Sequence, residues 1–362
     1  MKRLIAFAIS AALPLLAFIP AMTSCSERIT DDTGIGEDGK PSGPENGGAG
    51  ESFEITVTEL HCKSGDIDIY GQLYTPEGKE GRLPVIVLSH SSSLTHAAMA
   101  PYAKYLSGKG YAAYCFDFCG ACDGSKSTGR STDEMTVFTE VEDLEIVLGQ
   151  IRSLDIVDPD NVFVLGSSQG GLVTALTAEK HSADIKGMIL FYPAFNMPEL
   201  ISKFTSSSGT GSFPGWQGGT GSGFGNMGMS DAFVNSIKDY DVYANIGTYP
   251  NDIIILHGTN DFLVDIKYSE KAVEKYPSAV LYPIQGGSHG FNNENLNGMA
   301  SMVGGEKDDV VMPYVFDYLA ECTGQPDSQV LASGNANARH PDAWGRLSNV
   351  MVFSVLSIAY KD

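Results

Sequence analysis

Apolar residues follow two different periods along the chain, one typical of strands and the other of helices. Apolar and polar residues alternate in 53–60 and again in 67–74, which predicts two antiparallel strands at the start of the globular part. After them, short runs of consecutive apolar residues predict buried strands. These runs lie at 84–90, 111–117, 162–165, 187–192, 252–256 and 280–284.

Helical periods fill the segments between these runs. Helices are expected near 97–109, 172–178, 267–276 and 308–321, together with a longer one after residue 130. Ser131 and Glu134 have the spacing of a capping box, so we expect the long helix to begin there. Its apolar face comprises Val137, Val141, Leu144, Val147 and Ile151. Strands that alternate with helices predict an α/β fold with a doubly wound, mostly parallel sheet.

One segment, 196–249, interrupts this alternation. Its central part, 206–230, consists mostly of Gly and Ser but contains Phe213, Trp216 and Phe224. We interpret the segment as a cap inserted over the strand ends. The three aromatic rings are candidates for substrate binding, with the alternative that they attach the cap to the core.

The N-terminal residues have the pattern of an export signal. Lys2 and Arg3 precede an apolar run over 4–21, and small residues then lead to Cys25. Residues 1–24 resemble a bacterial lipoprotein signal, although Met22 stands where Leu is usual, and lipidation of Cys25 would follow from the resemblance. An ordinary cleaved signal and an uncleaved anchor are the alternatives. We expect an exported protein, lipid-anchored to a bacterial membrane on the periplasmic side or at the cell surface.

The predicted boundaries follow from composition. Residues 25–52 are rich in Gly, Pro and acidic side chains and predict a flexible tether, whereas 53–323 forms the predicted catalytic domain. Residues 324–362 form a C-terminal tail to which we assign no role. A hydrophobic fraction of 43% in 362 residues is enough for a substantial core.

Charge and cysteine content narrow the function. A net charge of −21 argues against binding to nucleic acid, and against an anionic membrane surface, so we expect membrane contact through the lipid anchor only. Without Cys25, five of the six cysteines remain, an odd number that predicts a free thiol. Cys119 and Cys122 have CxxC spacing but no second pair or nearby His. No metal or cofactor is therefore expected.

The strand at 162–165 runs directly into Gly166-Ser167-Ser168-Gln169-Gly170. This Gly-x-Ser-x-Gly pattern between a strand and a helix is typical of a nucleophile elbow, a turn too tight for side chains beside the serine. Ser168 is the predicted nucleophile. The alternative is an ordinary strand-to-helix turn that happens to contain a serine.

A serine hydroxyl needs a base within hydrogen-bond reach and an acid that orients the base. Asp261 follows the strand at 252–256, and His289 follows the strand at 280–284. Both are expected at the carboxyl edge of the sheet, where Ser168 emerges, and the order Ser, Asp, His is that of α/β-hydrolases. Asp265 is the rival acid, and His257 is interpreted as structural.

An acyl-transfer site also needs N–H donors for the oxyanion of its intermediate. The residue after the nucleophile and the loop after the first parallel strand typically supply them. Those donors are expected from the backbone of Gln169 and Ser92, with Ser91 as the alternative to Ser92.

At these motifs the chain resembles a known family. From about residue 53 to 324 it is similar to bacterial α/β-hydrolases of the cinnamoyl/feruloyl esterase-like group, relatives of prolyl-oligopeptidase-like and dienelactone-hydrolase-like enzymes. The matching stretches are 116–120, 135–137, 166–171, 257–261 and 287–291. The resemblance implies an α/β-hydrolase fold with a cap and a Ser168, Asp261 and His289 triad. His90-Ser91 and Gly120-Ala121-Cys122 depart from the family's His-Gly and Gly-His-Gly.

Two classes of function remain open from the sequence. The first is a serine esterase that cleaves a small-molecule or glycan-linked carboxylic ester, including hydroxycinnamoyl esters on polysaccharides, with a serine peptidase as the enzymatic alternative. The second is a binding lipoprotein that has kept a hydrolase fold without activity.

Overall fold

The computed structural model describes residues 52–206, 229–291 and 308–324. Strands within these residues form an eight-stranded sheet. Its order is β1-β2-β4-β3-β5-β6-β7-β8. The strands are β1 (Ile55–Ser64), β2 (Ile67–Pro76), β3 (Leu83–Ser89), β4 (Ala112–Phe116), β5 (Val157–Ser167), β6 (Gly187–Phe191), β7 (Asp252–Gly258) and β8 (Ala279–Ile284). Strands β1 and β2 pair antiparallel, as does β2 with β4, and all pairs from β4 to β8 are parallel.

Helices cover both faces of this sheet. They are α1 (Ala100–Gly108), α2 (Val137–Arg152), α3 (Gln169–Lys180), α4 (Met197–Ser206), α5 (Asp231–Ile237), α6 (Lys267–Lys275) and α7 (Asp308–Thr323). Apolar side chains of α1 and α7 form one core cluster with one face of the sheet, and those of α2 to α6 form a second cluster with the other face. The predicted doubly wound, mostly parallel sheet is thus confirmed. Helices α4 and α5 lie in the predicted cap insertion.

Burial follows the apolar runs of the sequence. All seven residues of β3 and all five of β4 and of β6 are buried, as expected for strands covered on both faces. The predicted apolar face of α2, from Val137 to Ile151, is fully buried as well. Within the described residues, no helix is both long and apolar enough to cross a lipid bilayer.

The predicted start of the long helix was wrong. Helix α2 begins at Val137, and its N-cap is Thr136, whose hydroxyl accepts a hydrogen bond from the Thr139 N–H at 3.0 Å. The Thr139 hydroxyl in turn accepts from the Thr136 N–H at 2.8 Å, which completes a capping box. Ser131 does donate to the Glu134 carboxylate, but it does so in a separate turn ahead of the helix.

The five cysteines within the described residues are free thiols, which confirms the predicted free thiol. In the CxxC pair, the Cys119 thiol donates to the Thr128 carbonyl and the Cys122 thiol to the Leu94 carbonyl. These bonds tie the loop after β4 to its surroundings, consistent with structural cysteines. Cys25, Phe213, Trp216, Phe224 and residues 325–362 of the C-terminal tail lie outside the described residues.

Candidate active site

Ser168 stands at the junction of β5 and α3, in the left-handed region of backbone space at φ 52° and ψ −116°. A non-glycine residue there is strained, and such strain is characteristic of nucleophile elbows. The flanking glycines leave no room for a side chain. A Cβ on Gly166 would lie 2.3 Å from the Gly170 carbonyl oxygen, and a Cβ on Gly170 would lie 2.4 Å from the His90 carbonyl oxygen, so both positions require glycine.

The structure brings the three residues of the predicted triad into one hydrogen-bonded array. His289 Nε2 lies 3.1 Å from the Ser168 hydroxyl, and His289 Nδ1 lies 2.7 Å from Asp261 Oδ2. The residues come from the loops after β5, β7 and β8, at the carboxyl edge of the sheet. A histidine held between a carboxylate and a serine can accept the hydroxyl proton as the serine oxygen attacks a carbonyl carbon.

Asp261 is fixed on both of its oxygens. Oδ1 accepts hydrogen bonds from the backbone N–H groups of Leu263 and Val264, each at 2.9 Å. Oδ2 faces His289 and also lies 3.3 Å from His257 Nε2. Burial alone would raise the pKa of this carboxyl, but the two histidines and the hydrogen bonds outweigh burial and hold the pKa well below its usual value. The acid is therefore ionised at neutral pH.

His257 is completely buried behind Asp261. Its Nδ1 lies 2.7 Å from the Ser269 hydroxyl, and its Nε2 lies 2.8 Å from the Val264 carbonyl oxygen. The carbonyl can only accept, so Nε2 carries a proton and points it between Val264 and Asp261. The structural interpretation of His257 agrees with this geometry, because the ring supports the acid without facing Ser168.

Asp265, the rival acid, lies elsewhere. Its side chain is 54% exposed, and its Oδ1 accepts from the Lys267 N–H at 3.0 Å at the start of α6. The carboxylate thus bonds the first N–H of α6, while Asp261 occupies the position beside His289.

The loop after β3, residues 90–93, packs directly against the elbow. The Ser91 hydroxyl lies 2.9 Å from the Ser167 hydroxyl, which joins the loop to the residue before the nucleophile. The His90 side chain makes two hydrogen bonds that hold this loop. Its Nε2 accepts from the Phe118 N–H at 3.2 Å, and its Nδ1 donates to the Ser91 carbonyl at 2.8 Å. Burial lowers the pKa of His90 to about 4, so the ring is neutral. Ser92 is half-buried in this loop, and its role as oxyanion donor stays a prediction.

The chain is similar to known hydrolases in sequence and in fold. The family model of serine aminopeptidases of the S33 type matches residues 82–221. The structure of Est1E from Butyrivibrio proteoclasticus with bound ferulic acid superposes with a TM-score of 0.59 at 19% identity, over 74% of this chain and 100% of that one. The chain has the α/β-hydrolase fold.

Two curated relatives match different shares of the chain. The quorum-quenching protein AidA of Acinetobacter baumannii is 30% identical over 131 residues, which is 35% of this chain and 42% of AidA. The monoglyceride lipase of Saccharomyces cerevisiae is 27% identical over 276 residues, or 64% of this chain and 86% of the lipase. The chain thus spans less than half the length of AidA.

Sequence reasoning missed two side chains that contact residues of the candidate site. The Tyr192 ring packs against the His289 ring with centroids 4.5 Å apart, and Tyr192 itself has a positive φ of 36°. Glu140, buried in α2, accepts a hydrogen bond at 2.8 Å from the side chain of Gln169. Neither contact could be predicted from the sequence. Tyr192 ends an apolar run and Glu140 fits a helical period, so each residue is explained by its element without any functional role.

Proposed function

We propose that the protein is a serine hydrolase that cleaves carboxylic esters through an acyl-enzyme intermediate. The observation that carries the proposal is the Ser168, His289 and Asp261 array, with 3.1 Å and 2.7 Å between its hydrogen-bonded atoms, on a strained elbow. The family match and the relatives named above support hydrolase chemistry. A non-catalytic binding protein would have no need of the strained φ at Ser168 or of a buried, ionised acid behind the histidine.

In the proposed reaction, the Ser168 oxygen attacks the ester carbonyl carbon while its proton passes to His289 Nε2. The backbone N–H groups of Gln169 and Ser92 stabilise the resulting oxyanion. Collapse of the intermediate breaks the bond to the alcohol oxygen, which takes the proton from His289. Water then attacks the acyl-enzyme by the same route, releases the acid and restores Ser168.

Within this class we propose small or medium acyl esters, including hydroxycinnamoyl esters on polysaccharides. The support is the ferulic acid bound in the solved Est1E structure, which shares the fold, and the three aromatic residues of the insertion. The serine peptidase is the second candidate, favoured by the S33 family match. The monoglyceride lipase relative supports ester substrates of another kind.

Two assays test these proposals in order. A fluorophosphonate probe is expected to label wild-type protein and to leave Ser168→Ala unlabelled, whereas a binding protein would not react at all. Hydrolysis of methyl ferulate is then compared with that of short-chain p-nitrophenyl esters and of proline p-nitroanilide, in wild type and Trp216→Ala. Brisk cleavage of acetate and butyrate without ferulate cleavage, unchanged in Trp216→Ala, would leave a general carboxylesterase. Preferential cleavage of the anilide would favour the peptidase.

We also propose that the protein is exported and held at a bacterial membrane by a lipid on Cys25. The support is the sequence pattern of residues 1–25 followed by a Gly- and Pro-rich segment long enough to serve as a spacer.

A further inference from the structure

A buried carboxyl group lies next to the oxyanion side of the candidate site. Glu140 is 1% exposed, and its Oε2 accepts a hydrogen bond from Gln169 Nε2 at 2.8 Å. Gln169 is equally buried, and its Oε1 has no hydrogen-bond partner. The amide oxygen of Gln169 therefore lacks a hydrogen-bond donor, and the neighbouring carboxyl group of Glu140 can carry a proton.

Among the described residues, no cation is paired with Glu140. Arg130, which donates to the carbonyl of the adjacent Thr139, pairs with Asp143 and Glu142 instead. Asp143, one turn further along α2, is the nearest acid and is itself bonded to Arg130 and to the Cys119 N–H. Helix α3 presents the uncharged Gln169, and its ionisable Glu179 and Lys180 lie at its far end with other partners.

Strands β1 and β5 and helix α5 also pack on α2. The charged residues of β1, Glu59, His61 and Lys63, are exposed, and Asp158 and Asp160 lie at the start of β5, outside its buried part. Helix α5 packs on the core with apolar Phe233, Val234 and Ile237, while its acidic Asp231 is exposed. Burial, reinforced by the charge of Asp143 and only partly opposed by the Gln169 hydrogen bond, raises the pKa of Glu140 to about 8. At neutral pH the carboxyl group is therefore mostly protonated.

This state matters for the proposed function, on which the inference rests. Gln169 supplies the proposed oxyanion donor, so negative charge develops in the transition state close to the residue that Glu140 holds. An ionised Glu140 would repel that charge across a buried interior of low dielectric constant, where Coulomb interactions are strong. We propose that Glu140 is a protonated positioning residue, which fixes the Gln169 side chain and keeps the oxyanion donor free of a neighbouring negative charge.

The test is a pH profile of ester hydrolysis between pH 7 and 9.5, with Ser168→Ala as the blank for spontaneous hydrolysis. Wild-type kcat is expected to fall with a midpoint near pH 8 and to be about tenfold lower at pH 9 than at pH 7, because about one molecule in ten keeps its proton there. Glu140→Gln keeps the shape and the hydrogen bond without a titrating group. It is expected to stay within about threefold of wild type at pH 7 and to lose the alkaline fall.

Glu145→Gln is the matched control, since Glu145 lies on the same helix but is paired with Lys180 at the surface. This variant is expected to keep the wild-type profile. An alkaline fall that persists in Glu140→Gln, a wild type with no fall, or a folded Glu140→Gln that is more than 100-fold slower at pH 7 would each overturn the inference.

A second measurement serves if Glu140→Gln does not fold. Carbon-13 NMR of wild-type protein labelled at the glutamate side-chain carboxyl carbon is expected to show one resonance that titrates near pH 8. If every glutamate titrates below pH 7, Glu140 is not protonated and the inference fails. A wild type that is inactive on all esters at pH 7 would instead refute the proposed function, while the NMR titration would still report the state of Glu140.

Discussion

A Cβ atom placed on Gly170 would lie 2.4 Å from the carbonyl oxygen of His90. The elbow and the loop that follows β3 are therefore in backbone-to-backbone contact, with no side chain between them. This contact sets the distance between the nucleophile and the loop that carries the proposed oxyanion donor Ser92. A site of this kind depends on placement to within a fraction of an ångström.

Gly170→Ala tests this contact. Neither the His90 carbonyl nor the Ser89 carbonyl, 2.5 Å from the same position, can move without shifting the loop. We expect the variant to lose about 1 to 3 kcal/mol of unfolding free energy and at least about 100-fold in kcat, measured by urea unfolding and ester hydrolysis.

Gly149→Ala is the control for Gly170→Ala. Gly149 is an exposed glycine within α2, and a Cβ there would have no neighbour within 4 Å. This variant is expected to keep its activity and to gain about 0.5 to 1 kcal/mol in stability. Full activity in Gly170→Ala would show that the elbow and the loop do not need to touch.

The proposed nucleophile and base are expected to act as a unit. Ser168→Ala and His289→Ala should each reduce kcat by about 10⁴-fold or more, and the double variant should be no worse than either single one. Ser92→Ala is the matched serine control, because it keeps the backbone N–H that the proposal uses, and it is expected to stay within a few-fold of wild type. Additive losses in the double variant would contradict a shared role.

Stability is expected to depend on the protonation of His90. Its pKa is lowered to about 4 by burial, against about 6.5 in an unfolded chain. Between these two pKa values the unfolded chain binds a proton that the folded protein does not. The part of the unfolding free energy that depends on a neutral His90 is therefore fully present above pH 6.5 and is lost as the pH falls toward 4. The loss is expected to reach about 3 kcal/mol.

His90→Gln checks the His90 contribution by urea unfolding at several pH values. The glutamine oxygen can take over the hydrogen bond from the Phe118 N–H, which His90 Nε2 accepts at 3.2 Å. The unfolding free energies of wild type and variant are expected to converge as the pH falls from 7 to 4. A constant difference across this range would exclude a neutral, buried His90 as the cause.

The lipid anchor gives a separate prediction. Mass spectrometry of mature wild-type protein is expected to show a lipid-modified N-terminal Cys25, and membranes should retain the protein. Cys25→Ser is expected to appear in soluble or unprocessed form with unchanged ester hydrolysis. An unmodified Cys25 on mature wild-type protein would rule out the lipoprotein prediction.

Much of the fold could be predicted because short stretches of sequence identify its strands and helices. Apolar runs such as that of β3 identify buried strands, and parallel strands with helices between them have few possible arrangements. Ser168, Asp261 and His289 each follow a strand of the parallel part of the sheet, β5, β7 and β8, so their positions in the sequence predict that all three lie at one edge. Their hydrogen bonds, 2.7 and 3.1 Å long, follow from that shared edge.

Other features depend on contacts that no local pattern encodes. Ser131 and Glu134 do form the expected pairing, but Thr136 lies directly before the apolar face of α2 and therefore caps it. From its position in the sequence, Glu140 would be a surface residue of a helix. In the structure α3 packs against it and buries it. Burial of a polar group is a tertiary property, so the charge state of Glu140 could not be read from its spacing.

The choice between the two candidate acids provides the last prediction. Asp261 Oδ2 lies 2.7 Å from His289 Nδ1, whereas Asp265 accepts from the Lys267 N–H at the start of α6 and pairs with the Lys267 side chain. Asp261→Asn keeps the size of the side chain but presents an uncharged group to His289, which removes the charge that stabilises the imidazolium. We expect kcat to fall by about 10³- to 10⁴-fold.

Asp265→Asn is the matched substitution four residues away. Asparagine can still accept the Lys267 N–H, so helix α6 is expected to form and kcat to stay within about threefold of wild type. Both variants are compared at pH 7 with the same p-nitrophenyl ester, after circular dichroism has shown that each is folded. If Asp265→Asn carried the larger loss, the acid would be Asp265, and the hydrogen bond between Asp261 and His289 would have to break in the working enzyme.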